Sequence, residues 1–99
     1  MVRELPDPAR RIAGFQLWRV QCGQEPDDWK PMPRIGAGVK EIRIRTDTEH
    51  RVIYIAKFPE AVYVLHAFEK RTRRTPKQHL GIARDRLRLL LSERAPRKE

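Results

Sequence analysis

The chain has 99 residues and a formal charge of +9, from 22 Lys and Arg against 13 Asp and Glu, and 39% of its residues are hydrophobic. This length and content favour one small folded domain over residues 1–99 and exclude a second domain or a disordered basic tail. The single Cys excludes a disulfide scaffold and no apolar run could span a membrane, so we expect a cytoplasmic protein.

The charge is concentrated in the C-terminal two thirds of the chain. Residues 1–38 carry six basic and five acidic side chains, whereas residues 39–99 carry 16 and eight. A sequence pI of about 10.6, with the excess charge in one region, favours a polyanionic partner, and nucleic acid first. The alternative is a protein that exposes arginine-rich faces to water without using them.

The first predicted element is a helix that begins with Asp7 as N-cap and Pro8 as its first residue. Gly23 is placed to end it in a left-handed conformation. Apolar residues at helical spacing predict that this helix is well covered and that its cysteine is buried: Ile12, Phe15, Trp18 and Cys22, in a stripe broadened by Ala13, Leu17 and Val20. Residues 24–38 hold three prolines and two glycines, which predict irregular chain with at most one short turn.

From Val39 the pattern alternates, which predicts three antiparallel strands over residues 39–46, 51–58 and 61–68, joined by short polar breaks. In the first strand, Ile42 and Ile44 lie on one face, and Arg43 and Arg45 lie on the other. The two later strands are apolar on both faces, so we expect the second face of the sheet to be covered at least in part.

The last predicted element is a helix that Thr75 and Gln78 cap as a capping box, with Pro76 as its first residue. Its apolar stripe comprises Leu80, Ala83, Leu87 and either Leu90 or Leu91. We expect residues 1–6 and 93–99 to fray. The fold class is therefore α+β: a small antiparallel sheet of three to four strands, with an N-terminal helix or helix pair packed on it and a C-terminal helix.

Several enzyme classes are excluded because their motifs are absent. The sequence has no CxxC pair, no HExxH, no GxxxxGK[ST] phosphate loop and no GxSxG elbow. Its three His residues are single and separated, so we expect neither a metal site nor a cofactor. What remains is a concentration of Arg and Lys beside a predicted sheet.

In an antiparallel meander, the end of the first strand lies beside the start of the second and near the end of the third. This topology brings five basic residues to one edge of the sheet: Arg43, Arg45, Arg51, Lys70 and Arg71. Such a cluster could bind several phosphates, or stabilise the phosphorane that forms when a neighbouring 2′-OH cleaves RNA. It could equally be a solvated charged face.

His66 alternates with Val64 and Phe68, which indicates the more buried face of the third strand. A hydrogen-bonded histidine of the core is the favoured interpretation. If the ring instead points toward the basic cluster, a pKa near neutrality would suit it to general acid or base catalysis.

Three motifs follow one another in the chain: EIR from Glu41, RVIY from Arg51 and LHAFEKRT from Leu65. Together with the preceding loop DDWKPMPRIGAG, they resemble the RelE/HigB superfamily of type II toxins, and most closely its phage-derived HigB-like branch. The resemblance covers residues 8–90. It implies a small α+β endoribonuclease that uses no metal, cleaves mRNA, often on the ribosome, and is held inactive by a cognate antitoxin.

The resemblance also implies a site. By position in the motifs, four residues match basic residues of the family: Arg43, Arg51, Lys70 and Arg71. We assign catalysis to Arg51, Arg71, Lys70 and His66, and RNA binding to Arg43, Arg45, Lys57, Arg73 and Arg74. Two features depart from the family pattern. No full strand precedes the first helix, and no Tyr lies near the start of the last one, where Lys77, His79 or His66 could substitute.

Two other classes of function stay open at this point. A non-catalytic module could bind RNA or DNA through the same surface and would show a steep salt dependence without a cleaved product. A phage-derived interaction protein could use the basic face to dock an acidic protein. A short acidic or helix-turn-helix reading frame next to the gene would favour the toxin over the nucleic-acid-binding module.

Overall fold

A four-stranded antiparallel sheet in the order β1-β2-β3-β4 lies between two helices in the computed structural model, which describes residues 2–95. After a short 3₁₀ helix at Val2–Glu4, the elements in chain order are α1 (Asp7–Gln21), β1 (Trp29–Pro31), β2 (Val39–Arg45), β3 (Glu49–Ile55), β4 (Tyr63–Lys70) and α2 (Lys77–Arg94). The predicted α+β class is confirmed. The fourth strand, β1, comes from the segment expected to be irregular.

The ends of the chain were expected to fray. Within residues 1–6, Leu5 is buried in the core, so this part of the N-terminus is packed. At the other end, α2 continues to Arg94, and residues 96–99 lie outside the described residues.

The helix α1 covers the sheet with its small residues instead of its aromatic ones. Ala9 and Ala13 have no exposed surface, and Gln16 is buried beside them. Phe15 and Trp18 are 54% and 57% exposed. The prediction that the stripe is covered is wrong for Phe15 and Trp18 and right for Ala13, because the alanines let the helix approach the sheet closely. At 100° per residue, the aromatic side chains then lie on the opposite side of the helix.

The C-terminal end of α1 is as predicted, and the N-terminal end is not. Gly23 has a φ of 82° and follows the last turn, as expected of a left-handed C-terminal glycine. Pro6 takes the N-cap position, so Asp7 lies inside the helix, where its carboxylate pairs with Arg10. Cys22 is exposed, so the prediction of a buried thiol is wrong.

The two faces of the sheet carry separate hydrophobic clusters, which confirms that both are covered. The α1 side of the sheet contributes Ile42, Ile44, Val52, Tyr54 and Ala67. The α2 side contributes Val39, Ile53, Ile55, Leu65 and Phe68. A register shift between β3 and β4 at Ile53 and Tyr54 places Val64 against the α1 cluster. The predicted sharing of one face by Val64, His66 and Phe68 is therefore wrong for Val64.

The helix α2 packs across the second face through Ala83 and Leu87, with Leu80 and Leu90 beside them. This confirms the predicted apolar stripe and selects Leu90, since Leu91 is 45% exposed. The helix begins one residue later than predicted, so Pro76 occupies the N-cap position. The predicted capping box is wrong, because a proline at that position has no oxygen in its side chain to accept a hydrogen bond.

Candidate nucleic-acid interface

An open groove of about 620 Å³ lies on the α2 side of the sheet, and we call it the basic groove. One wall is the segment from Lys30 to Arg34, and the other comprises Lys70, Arg73, Arg74, Thr75, Lys77 and Leu80. Six of these lining side chains are basic, and within residues 2–95 no acidic side chain lines the groove. The share of basic residues in this concave surface is therefore far higher than in the chain as a whole.

The first wall is anchored to the core despite its two prolines. Met32 and Ile35 are buried, and the Met32 N–H donates to the Val39 carbonyl at 2.8 Å. From the opposite direction, the Arg84 guanidinium on α2 donates to the carbonyl of Arg34 at 3.0 Å. The basic side chains of this wall therefore project from a fixed backbone.

The second wall follows directly from the end of β4. Lys70 is the last residue of that strand and lies opposite Glu49 in the register. The chain then turns, with the Thr72 hydroxyl donating to the Arg74 carbonyl at 2.6 Å, before α2 begins at Lys77. This short connection brings Arg74 and Lys77 to the same rim as Lys70.

The pKa of Lys70 is lowered from its usual value of 10.5. Partial burial is the largest cause, because it disfavours the charged ammonium, and the positive charge of Arg51 acts in the same direction. Lys30 adds to this effect, whereas Glu41 and Glu49 oppose it. A lysine in such surroundings releases its proton more easily than one on the open surface.

Arg51 lies under the groove and is only 5% exposed. Its guanidinium donates to Glu41 Oε1 at 3.0 Å and to Glu49 Oε1 at 2.8 Å. The guanidinium of Arg51, which the sequence predicts to be catalytic, is therefore already paired with two carboxylates. The structure places Arg51 as a buried, paired charge beneath Lys70 and not on the surface of the groove.

The predicted convergence at one edge of the sheet holds in the register. Arg43 lies opposite Arg51, and the next pair along the same face joins Arg45 to Glu49. Arg43 comes within 3.7 Å of Asp28, and Arg45 within 3.7 Å of Glu49 on the hairpin. Neither guanidinium lines the basic groove.

Of the remaining predicted residues, Arg73 and Arg74 line the basic groove. Arg71 is exposed and donates to Glu69 at 3.1 Å, outside the groove. Lys57 follows β3, where its ammonium lies 5.6 Å from the centre of the Phe58 ring, and it does not line the groove either.

His66 lies on β4, its side chain contacts α2, and it does not line the groove. We call His66, His79 and Arg86 the histidine cluster. The Arg86 guanidinium donates to His66 Nδ1 at 3.2 Å, and His66 Nε2 is 2.8 Å from His79 Nδ1. Because Nδ1 of His66 accepts a hydrogen bond, the proton of this ring is on Nε2. His66 therefore donates to Nδ1 of His79, and both rings are neutral. The favoured interpretation of a hydrogen-bonded core histidine thus agrees with its 9% exposure.

Three basic residues of the groove were missed as site residues: Lys30, Arg34 and Lys77. Lys30 and Arg34 flank the prolines of a segment whose composition predicts irregular chain. The available signal was the sequence KPMPR, in which a buried Met between two prolines separates two cations. Lys77 was considered only as a substitute for the missing Tyr.

Among residues 2–95, no three His, Cys, Asp or Glu side chains come together as metal ligands would. Neither helix in that range is long and apolar enough to cross a membrane.

Comparison with known proteins gives one family. The family model described as "Phage derived protein Gp49-like (DUF891)" matches residues 1–88. That family is associated with toxin–antitoxin modules and is related to RelE and HigB. No curated protein and no solved structure matches the chain.

Proposed function

This chain belongs to the Gp49-like family of phage-derived proteins, and on that premise we propose that it is the toxin of a type II toxin–antitoxin pair. We further propose that it is an endoribonuclease that cleaves mRNA without a metal ion, on the ribosome. The basic groove carries this proposal, because it gathers six basic side chains, and one of them, Lys70, has a lowered pKa.

The groove suits the backbone of single-stranded RNA. Lysine and arginine side chains line both walls, so successive phosphates could be neutralised from two sides. Each neutralised phosphate releases counterions, and log K then falls with log salt by about 0.7 per phosphate for a single strand. If four of the six cations engage phosphates, the slope is about −3, which separates groove binding from a contact through one or two charges.

The cleavage we propose is the attack of a 2′-oxygen on the adjacent phosphorus. Lys70 in its neutral form takes the proton from the 2′-OH, and the new O–P bond forms as the bond to the 5′-oxygen breaks. Arg73 and Arg74 stabilise the additional negative charge of the phosphorane. Lys77 donates a proton to the leaving 5′-oxygen. The products are a 2′,3′-cyclic phosphate and a free 5′-hydroxyl.

In this proposal, Lys70 alone of the four residues assigned to catalysis from the sequence acts on RNA directly. Arg51 contributes its positive charge from below. Arg71 and His66 stay predictions of the sequence, since neither lines the basic groove.

The partner that follows from this proposal is an antitoxin with an acidic segment. Carboxylates spaced along an extended chain or a helix would occupy the positions of the RNA phosphates and close the groove. A neighbouring gene that encodes a small acidic protein would support this part of the proposal.

The experiment compares the wild-type protein with Lys70→Ala, with the double variant Arg73→Ala, Arg74→Ala, and with Arg88→Ala as matched control. Arg88 is an exposed cation on α2, and it lies about 16 Å along the helix from Lys77. Cells that express each variant are followed for growth, and cleaved transcripts are mapped by primer extension. Purified protein is tested on RNA in the presence of a chelator, with and without ribosomes.

We expect the wild type and Arg88→Ala to arrest growth and to cleave RNA. Lys70→Ala should cleave at least about 100-fold more slowly, as expected when a general base is removed. The proposed mechanism fails if Lys70→Ala cleaves like the wild type. If the wild type binds RNA with a steep salt dependence and yields no cleaved product, the protein is the non-catalytic binding module instead.

A further inference from the structure

Glu41 is a fully buried carboxylate at the centre of the sheet, directly beneath the basic groove. Its exposed fraction is 0%, and one oxygen, Oε1, is shared by two cations. Arg51 Nη1 lies 3.0 Å from this oxygen, and Lys30 Nζ lies 3.8 Å from it. A buried carboxylate needs such partners, because an unpaired charge in the interior costs several kcal/mol.

The ion pairs of Arg51 extend as far as Glu49, on the side of the other wall of the groove. The second nitrogen of the Arg51 guanidinium, Nη2, donates to Glu49 at 2.8 Å. Glu49 in turn lies opposite Lys70 in the register of β3 and β4. A row of alternating charges therefore crosses under the groove from one wall to the other: Lys30, Glu41, Arg51, Glu49 and Lys70.

Glu41, the second member of this row, has unused hydrogen-bonding capacity. Its second oxygen, Oε2, and the Nε of Arg51 are buried without a hydrogen-bond partner among residues 2–95. Hydrophobic side chains would pack this position at lower cost than a partly satisfied ion pair. Stability therefore does not explain a carboxylate here, whereas a role in arranging the cations around it does.

We propose that Glu41 is a positioning residue of the basic groove: its buried carboxylate holds Arg51 below the groove and Lys30 at its rim, and so controls the charge on Lys70. The inference rests on the proposed function, in which Lys70 is the general base. Glu41 touches neither RNA nor the reacting atoms; it acts through the two cations that it holds and through its own negative charge near Lys70.

The charges around Lys70 shift its pKa in opposite directions, so the proposal predicts a shift of each sign. Lys30 from β1 and Arg51 from β3 favour the neutral amine, and Glu41 from β2 and Glu49 from β3 favour the ammonium. The rim adds further cations from the β4–α2 connection and from α2: Arg73, Arg74 and Lys77. Removal of the Glu41 charge should lower the pKa of Lys70 further, whereas removal of the Lys30 charge should raise it.

The test is an NMR titration of the Lys70 side chain in the full chain, in the wild type, Glu41→Gln, Lys30→Met and Arg88→Met. Glutamine keeps an oxygen that can accept from Arg51 and removes only the charge. We expect the Lys70 pKa to fall in Glu41→Gln, to rise in Lys30→Met and to stay at the wild-type value in Arg88→Met. General loosening of the fold would move the first two in the same direction.

The proposal is overturned if neither variant moves the Lys70 pKa, or if both move it the same way. Should Glu41→Gln fail to fold, Lys30→Met decides alone, because Lys30 lies on the edge strand β1 and its removal leaves the pair of Glu41 with Arg51 intact. An unchanged or lowered Lys70 pKa in that variant overturns the proposal.

The titration needs no RNA, so it is independent of cleavage. If the wild type cleaves RNA, the acid limb of its pH–rate profile should move to lower pH in Glu41→Gln and to higher pH in Lys30→Met. A wild type that does not cleave refutes the proposed function, and the titration still shows whether Glu41 controls the charge on Lys70.

Discussion

The histidine cluster predicts that the protein loses stability in mild acid. His66 on β4 is buried against α2, where it accepts a hydrogen bond from Arg86 and donates one to His79. Protonation of His66 would place a proton on Nδ1, which faces the Arg86 guanidinium. The acceptor would be lost and two positive charges would meet in a desolvated site, so the folded protein resists this protonation.

The size of the effect follows from the pKa of His66, which burial, His79 and Arg86 lower from 6.5 to about 4. Between those values the unfolded chain binds a proton that the folded protein does not, so the free energy of unfolding falls as the pH falls. The contribution is complete above pH 6.5 and amounts to about 3 kcal/mol. About 2 kcal/mol of it should be lost between pH 7 and pH 5.

Denaturant unfolding at pH 7 and pH 5 measures this loss, with His66→Gln as the variant whose residue 66 cannot titrate. The pKa of His79 is also lowered by burial and contributes with the same sign, so the informative quantity is the difference between the two proteins. The wild type should lose about 2 kcal/mol more than His66→Gln. Equal losses would refute the reasoning, since His66 would then titrate alike in the folded and unfolded chains.

Two further predictions concern α1. Gly23→Ala should lower the free energy of unfolding by about 1 kcal/mol, because Gly23 has a φ of 82° that a Cβ disfavours. Urea denaturation measures this, and an unchanged midpoint would mean that the helix ends differently. Trp18→Ser should change the free energy of unfolding by less than about 0.5 kcal/mol, because the side chain is 57% exposed. A larger loss in the same assay would show that Trp18 is covered in solution.

The strands of the sheet could be predicted from the sequence, because side chains of a strand alternate between its two faces even when both faces are buried. Ile42 and Ile44 share one face as predicted, which the structure shows to be the α1 side, and Arg43 and Arg45 lie on the other. The sequence was insufficient for α1, where the predicted apolar stripe included Ala13, which is buried, together with Phe15 and Trp18, which are exposed. Periodicity identifies an apolar face of a helix, but close packing of Ala13 against the sheet decided which face is covered.

The candidate site was predicted in part for a similar reason. Strand register depends on local pattern and turns, so Lys70 and Arg51 could be placed at one end of the sheet from the sequence. Burial of Arg51 could not, because it depends on Glu41 from the neighbouring strand. Nor could the wall with Lys30 and Arg34, which reaches the groove only after α2 has packed across the sheet and Arg84 has bonded to it.

The alternative of a solvated charged face is weakened by the arrangement of the cations. Apart from Lys30, the basic side chains of the groove lie within 4.0 Å of no carboxylate in residues 2–95: Arg34, Lys70, Arg73, Arg74 and Lys77. Solvated faces usually mix both signs, because like charges within a Debye length of about 8 Å repel one another and destabilise the fold. Folding therefore concentrates positive charge here at a cost, and a bound polyanion would remove that repulsion. Such an arrangement favours a phosphate backbone, or the acidic segment that competes with it, as the occupant of the basic groove.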